Sequence, residues 1–256
     1  KATIVLLCIL CLVSFMLGCT NNTTTEESVL TVAAAASLKN CMDDKLLPMF
    51  EEKYPDIKIQ ATYDSSGKLQ TQIEEGAPID VFMSAAMKQM TALDEKELII
   101  KDSIVHLLEN KIVLIVPTNS TTEIKTFEDI LKADKIAVGD PASVPAGQYA
   151  KEILTNLNVW EQVSATASLG TNVTQVLNWV AEGSADAGIV YSTDAASNQK
   201  VEIIAEAPEG IVSKVIYPVG IVKATKDEET AKKFVGFLKT AEAQKAFESY
   251  GFTTNK

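Results

Sequence analysis

The sequence predicts an α/β protein of two lobes, each a mostly parallel sheet with helices on both faces, and three observations predict it. Short apolar or β-branched runs alternate with amphipathic stretches along most of the chain, as successive βα units do. The alternation forms two series, the second opening at "KIVLIVP". A long extended run, "SKVIYPVGIVK", then precedes two closing helical stretches that can pack back on the first series. With 256 residues, 46% of them hydrophobic, the chain has material for one large or two modest cores.

The first 18 residues do not belong to that fold. Lys1 is followed by the uncharged run "ATIVLLCILCLVSFMLG", then by Cys19 and the polar tract "TNNTTTEES". This is the make-up of a signal peptide, residues 1–18, and a polar linker, residues 19–28. "MLGC" resembles a bacterial lipobox, in which Cys19 is lipidated and becomes the new N-terminus, although Met16 is an unusual first residue for one. The competing reading is an uncleaved transmembrane helix, for which the run is barely long enough. Both make the protein an exported one, either a lipoprotein on the outer face of the cytoplasmic membrane or a periplasmic protein.

After the linker, "VLTVA" predicts a strand and the next stretch a helix from about Ser37 to Lys53. Pro48 should kink or interrupt that helix, because its ring removes an amide and meets the carbonyl four residues back. "IKIQATY" predicts a strand, "SGKLQTQIEEG" a helix closed by glycine, "IDVFMSA" a strand, and "AMKQMTALDEKEL" a helix with methionines at core spacing. The second series runs through "KIVLIVP", "KIAVGD", helices from about Ala146 to Leu157 and Val173 to Glu182, then "DAGIVY" and "KVEIIA". "SKVIYPVGIVK" is extended, and "EETAKKFVGFLK" and "AEAQKAFESYG" are helical. The chain would cross between lobes near Glu109 and Pro218, giving one lobe from 29–108 plus 218–256 and another from 109–217.

Composition removes several kinds of chemistry. Cys8, Cys11 and Cys19 lie in or at the end of the signal, so Cys41 is left alone, without a disulfide partner or a cysteine zinc cluster, and is expected to pack in a helix. His106 is the single histidine, which rules out a His-His metal site; no G-x-S-x-G elbow accompanies it. The net charge of −11 disfavours nucleic acid. All 23 basic residues are lysines, so no guanidinium clamp is available to a carboxylate or phosphate. "SSGKL" falls short of a phosphate-binding P-loop, because Thr62 stands at the opening glycine position and Leu69 replaces the hydroxyl residue after the lysine. Acidic pairs such as Asp43 with Asp44 read as solvated helix faces.

In open α/β sheets ligands bind beyond the carboxyl ends of the strands. The junctions there read "AAAAS", "TYDSSG", "FMSAAM", "GDPASVPAG" and "SLGTNV", all rich in small or hydroxyl residues. A helix N-terminus offers unpaired N–H groups and the positive end of the helix dipole, and so holds an anion without a formal cation. Ser37 and Ser66 can add hydroxyls, Ala146 and Val173 amides behind Pro145 and Asn172, and Tyr191 a phenol. Singly, each junction is also explained as an ordinary cap or as close packing; as a set they suggest an oxyanion cleft.

At these junctions the sequence resembles the molybdate-binding proteins of ABC transporters, the ModA family of periplasmic binding proteins. The matching pieces are "AAASL", "QIEEGAPIDVFMSA", "AVGDPASVPAGQYAKE", "GIVYSTDA", "YPVGIV" and the terminal "YGFT", in order from about residue 29 to the end. The resemblance implies two α/β lobes joined by two crossing strands, with molybdate or tungstate held between them by Ser37, Ser66, Ala146, Val173 and Tyr191. The backbone amide near Ala85 is a further contact it suggests. It implies no cofactor and no catalysis, and a monomer that delivers its anion to an ABC permease in the cytoplasmic membrane, to which the lipobox-like "MLGC" adds the expectation of a lipid anchor at Cys19. Asp64, close to Ser66, is expected to face away. The rivals are a sulfate- or phosphate-type carrier and, from another class, an exported hydrolase.

Overall fold

The computed structural model describes residues 28–254. The expected signal, Cys19 and nearly all of the linker lie outside the described residues. Strand β1 (Ser28–Ala35) runs into a helical stretch, α1, over residues 36–53. That stretch opens as a tight 3-10 turn (Ala36–Leu38), widens to a π segment (Met42–Leu46) and closes as an α-helix (Leu47–Lys53). Pro48 therefore does not interrupt it. The wide segment lies where the proline ring would strike the Asp44 carbonyl in a regular α-helix, and it supplies the slack. Next come β2 (Ile57–Asp64), α2 (Ser66–Glu74), β3 (Val81–Met83), α3 (Met87–Glu95) and β4 (Val105–Glu109).

The second series comprises β5 (Ile112–Pro117), β6 (Ile136–Gly139), α4 (Pro145–Asn156), α5 (Trp160–Thr166), β7 (Ser168–Gly170), α6 (Val173–Ala181), β8 (Ala187–Tyr191), α7 (Ser192–Ala196) and β9 (Val201–Glu206). The chain closes with β10 (Ile216–Ile221), α8 (Glu228–Leu238), α9 (Ala241–Ser249) and β11 (Thr253–Thr254). Strands β4, β7 and β11 and helices α5 and α7 were not legible as separate elements. They are short, and "VHLLE" lacks the alternation that marks a half-buried strand.

One sheet has the order β11-β4-β10-β3-β1-β2 and the other β7-β6-β8-β5-β9. The sheets are mixed rather than mostly parallel. β1 is parallel to β2 and β3, and β6 to β7 and β8, but β10 is antiparallel to both neighbours and so is β5. The reason lies in the crossings. A strand leaving one sheet for the other runs with the parallel set, toward the space between the sheets. A strand entering a sheet from that space must run the other way, as β5 and β10 do. Pro218 sits inside β10 between two partners, a place proline normally avoids. The register shift between Tyr217 and Pro218 accommodates the missing donor.

β1 is a central strand, and its alanines Ala33, Ala34 and Ala35 are buried on both faces. Ala33 packs with Leu69, Ile73, Phe82, Met90 and Leu93 beneath α2 and α3. Ala34 joins Leu38, Met42 and Phe50 under α1. Cys41 is buried as expected, and burial, with Asp44 nearby, pushes its thiol up to about 12. In the second half, α4 lies so close to the end of β6 that a methyl on Gly147 would sit 1.9 Å from the Gly139 carbonyl oxygen. Gly147→Ala is therefore expected to lower stability by ~1–3 kcal/mol. Gly236→Ala, on an exposed turn of α8 where an added methyl meets nothing within 4 Å, should raise it by ~0.5–1 kcal/mol. Chemical denaturation of both variants beside the parent protein checks the two signs.

Candidate functional site

The carboxyl ends of β1, β2, β3 and β8 and the N-termini of α1, α2, α4 and α6 converge on one small cavity. Its wall is made by Ala35, Ala36, Ser37, Asp64, Ser65, Ser66, Ala85, Val144, Pro145, Ala146, Val173 and Tyr191. All six residues singled out from sequence are among them, although they come from six separate junctions. The free space inside is small, about 10 Å³ measured at the centre of a water-sized sphere, far below the ~300–1,000 Å³ usual for organic ligands. No lysine reaches the wall, and among the described residues no His, Cys, Asp and Glu group is arranged to hold a metal ion.

Each donor has a local reason for its position. Ser66 and Val173 are the first residues of their helices, and Ala146 follows Pro145 at the start of α4. Their amides belong to the first turn, where no intrahelical acceptor exists. Asn172 caps α6, its Oδ1 accepting the Gln175 N–H at 3.0 Å, while Gln175 Oε1 accepts the Thr171 N–H at 2.7 Å. This reciprocal cap leaves the Val173 amide for the cavity. Tyr191 ends β8 and is fully buried. Burial first, then neighbouring Tyr217, Tyr149 and Asp194, holds its phenol well above the ordinary range, so it stays a donor.

Ala85 plays a different part from the one expected. Its N–H is donated to Ser66 Oγ at 3.0 Å, and its carbonyl accepts the Tyr191 hydroxyl at 3.2 Å. The residue therefore orients two hydroxyls rather than presenting a free amide. Asp64 also differs, for it contributes to the wall instead of facing away. Its carboxylate is nonetheless committed, accepting the Ser65 N–H at 2.7 Å and lying 3.2 Å from Lys68 Nζ.

Three positions escaped the sequence reading. Ser65, the residue before α2, is buried in the wall with no partner for its hydroxyl; "DSSG" offered it beside Ser66, but nothing distinguished the two. Tyr217 and Asn110 stand behind the wall. The Ser37 and Tyr217 hydroxyls are 2.9 Å apart, and Asn110 Nδ2 donates to Tyr217 at 3.2 Å. His106 plays no part here; it lines an outer groove with Lys239 and Glu248. Asp194 lies behind Tyr191, and burial pushes its carboxyl up to about 7.

The two halves touch around the cavity. The Gly67 N–H donates to the Ser143 carbonyl at 2.9 Å, and Gln89 Nε2 donates to Gln148 Oε1 at 3.2 Å. With the Tyr191 to Ala85 bond, these contacts enclose a site of neutral donors with no free acceptor carboxylate. Such a site suits a small, fully deprotonated anion.

Comparison with known proteins agrees with that chemistry. Residues 30–253 match the family model described as bacterial extracellular solute-binding protein. The chain is 43% identical over 249 residues to YvgL of Bacillus subtilis, provisionally designated an ABC transporter substrate-binding lipoprotein, covering 94% of this chain and 95% of that one. It is 39% identical to the molybdate-binding protein ModA of Haemophilus influenzae, over 88% of this chain and 89% of its relative. Among solved structures it is similar to the substrate-binding domain of a provisionally assigned molybdenum ABC transporter from Clostridium difficile. That likeness has 40% identity and a TM-score of 0.69, over 90% of this chain and all of that domain. The convergent junctions and these relatives together make the chain a member of the bacterial extracellular solute-binding proteins of ABC transporters, and within them of the ModA family.

Proposed function

We propose that this protein captures molybdate, and tungstate with it, between its two halves and delivers the anion to an ABC permease. One observation carries the reading: donors from five separate junctions meet at a single small cavity whose wall holds no cation. Molybdate, tungstate and sulfate are dianions without a proton near neutral pH, so they only accept hydrogen bonds. Amides, hydroxyls and a phenol supply what they need. Monoprotonated phosphate would require an acceptor, and the carboxylate in the wall, Asp64, is already occupied by Ser65 and Lys68. Sulfate matches molybdate in charge and donor pattern, so discrimination against it rests on cavity size.

Magnitudes support a tight but reversible carrier. About six or seven hydrogen bonds to a charged group, at roughly 1.5–3 kcal/mol each, give on the order of 10–20 kcal/mol gross. Association and ordering cost roughly 4–15 kcal/mol. A Kd between about micromolar and nanomolar follows. The family works outside the cytoplasm and is not enzymatic, and no helix among the described residues is long and apolar enough to cross a membrane. We assign membrane attachment to a lipid on Cys19, a reading favoured by the "MLGC" motif and by the lipoprotein designation of the Bacillus relative. A monomer suffices for the function, because one chain supplies the whole wall.

Isothermal titration with molybdate, tungstate, sulfate and phosphate tests the assignment. Heat with the first two and at least about tenfold weaker sulfate binding, a difference of ~1.4 kcal/mol, is expected; equal affinity for sulfate would overturn the specificity. Ser66→Ala and Tyr191→Phe should each weaken molybdate binding by roughly 1.5–3 kcal/mol, the worth of one hydrogen bond to a charged group, with the fold retained by circular dichroism. The pH dependence has a definite sign. The Asp194 carboxyl is neutral below about 7 and charged above it, so molybdate affinity should fall as pH rises through 7 and stay flat in Asp194→Asn. Stability follows the same direction: the folded carboxyl keeps its proton across the window from the unfolded value near 4 up to about 7, and stability declines as pH rises through it. Titrations between pH 6 and 8 on both proteins check the binding prediction.

A further inference from the structure

The hydroxyl of Ser37 is not an isolated donor. Its oxygen is 2.9 Å from the Tyr217 hydroxyl, and that hydroxyl accepts from Asn110 Nδ2 at 3.2 Å. The Asn110 amide has a fixed orientation: its Oδ1 accepts the Lys111 N–H at 2.8 Å and the Ser192 hydroxyl at 2.9 Å, and its Nδ2 also donates to Thr193 Oγ1 at 2.9 Å. Asn110 thus donates toward Tyr217 and cannot accept from it. Asn110 sits between β4 and β5, on the segment that crosses from one sheet to the other.

An oxyanion without a proton fixes the direction of the remaining bonds. Ser37 must donate to the anion, so the bond between Ser37 and Tyr217 must run from the phenol to the serine. The phenol, having given its single proton, accepts from Asn110. Every hydrogen in the chain then points at the anion: Asn110 N–H to Tyr217, Tyr217 O–H to Ser37, Ser37 O–H to the ligand. In a buried setting each such bond polarises the next and strengthens the last donor.

We propose that Asn110 and Tyr217 are positioning residues for anion capture, forming a one-way donor relay from the crossing segment through Ser37 to the ligand. This rests on the oxyanion reading of the cavity. Tyr217→Phe keeps the ring edge against Tyr191 and Phe252, each 5.4 Å away between centroids, and leaves Asn110 Nδ2 bonded to Thr193. The relay can therefore be cut with little loss of packing.

The test is a double-mutant cycle read by titration with sodium molybdate. Tyr217→Phe is expected to raise Kd by about 5- to 10-fold in the parent protein and by less than about twofold in a Ser37→Ala background. Asn110→Ala, which keeps both hydroxyls and removes the donor behind them, should raise Kd by about 2- to 5-fold and likewise lose its effect once Ser37 is alanine. This second cycle stands if Tyr217→Phe fails to fold. Equal losses with and without Ser37, no loss in Tyr217→Phe, or coupling to Tyr191→Phe in place of Ser37→Ala would overturn the relay while leaving the binding assignment intact. Absence of molybdate binding by the parent protein would instead overturn the reading of the cavity, and the relay with it.

Discussion

The structure depends on one constraint: several helix N-termini must reach a common point with nothing bulky between their amides and the space they share. Backbone has to approach backbone, and that decides residue size throughout the region. Gly147 lies against the Gly139 carbonyl, and a methyl on Gly67 would come within 2.4 Å of the Ser143 oxygen. Ala35 and Ala36 bring β1 to the cavity without filling it. Four lone N-termini would each be weak anion sites; brought together in a buried space, their dipoles add and lose less to solvent. The price of that convergence is a set of positions where even a methyl group is too much.

Charge is handled by the same geometry. The protein carries a net charge of −11 and binds, in the reading proposed here, a dianion. Long-range attraction cannot help, and it is screened beyond roughly 8 Å in physiological salt. Neutral donors avoid a different difficulty, since a buried lysine or arginine would have to be desolvated in the empty protein. Hydroxyls and amides cost less to bury and release their ligand more readily, which a carrier needs. The carboxylate nearest the cavity, Asp64, is kept out of the balance by Lys68 and the Ser65 amide.

Contacts between the halves connect binding to shape. Gly67 with Ser143, Gln89 with Gln148 and Tyr191 with Ala85 all span the cavity edge, and each is a single neutral hydrogen bond. Net contributions of about 1 kcal/mol apiece hold such a state weakly. An anion bonded to both halves would add differential affinity for the closed arrangement, which is what shifts a population. The aromatic series Tyr149, Tyr191, Tyr217, Phe252 and Phe247 runs edge to face behind the site and gives it a rigid back wall.

Much of this was legible in the chain itself. Local pattern determined the βα series, the helix starts at Ser66, Pro145 and Val173, the absence of arginine, and the small residues at each junction, because these depend on neighbours a few positions away. Pattern does not carry strand direction: whether β5 and β10 run with or against their neighbours follows from where the chain crosses. Nor could it show that Pro48 would be absorbed by a widened helical segment, that the Ala85 amide would be spent on Ser66, or that Asp64 would join the wall beside Lys68. Asn110, Tyr217 and Ser37 are up to 180 residues apart in sequence and meet only through folding. The sequence by itself determined the kinds of donors this protein can offer. Tertiary structure alone decided which of them share one cavity and which way their protons point, because both depend on distances between segments remote in the chain.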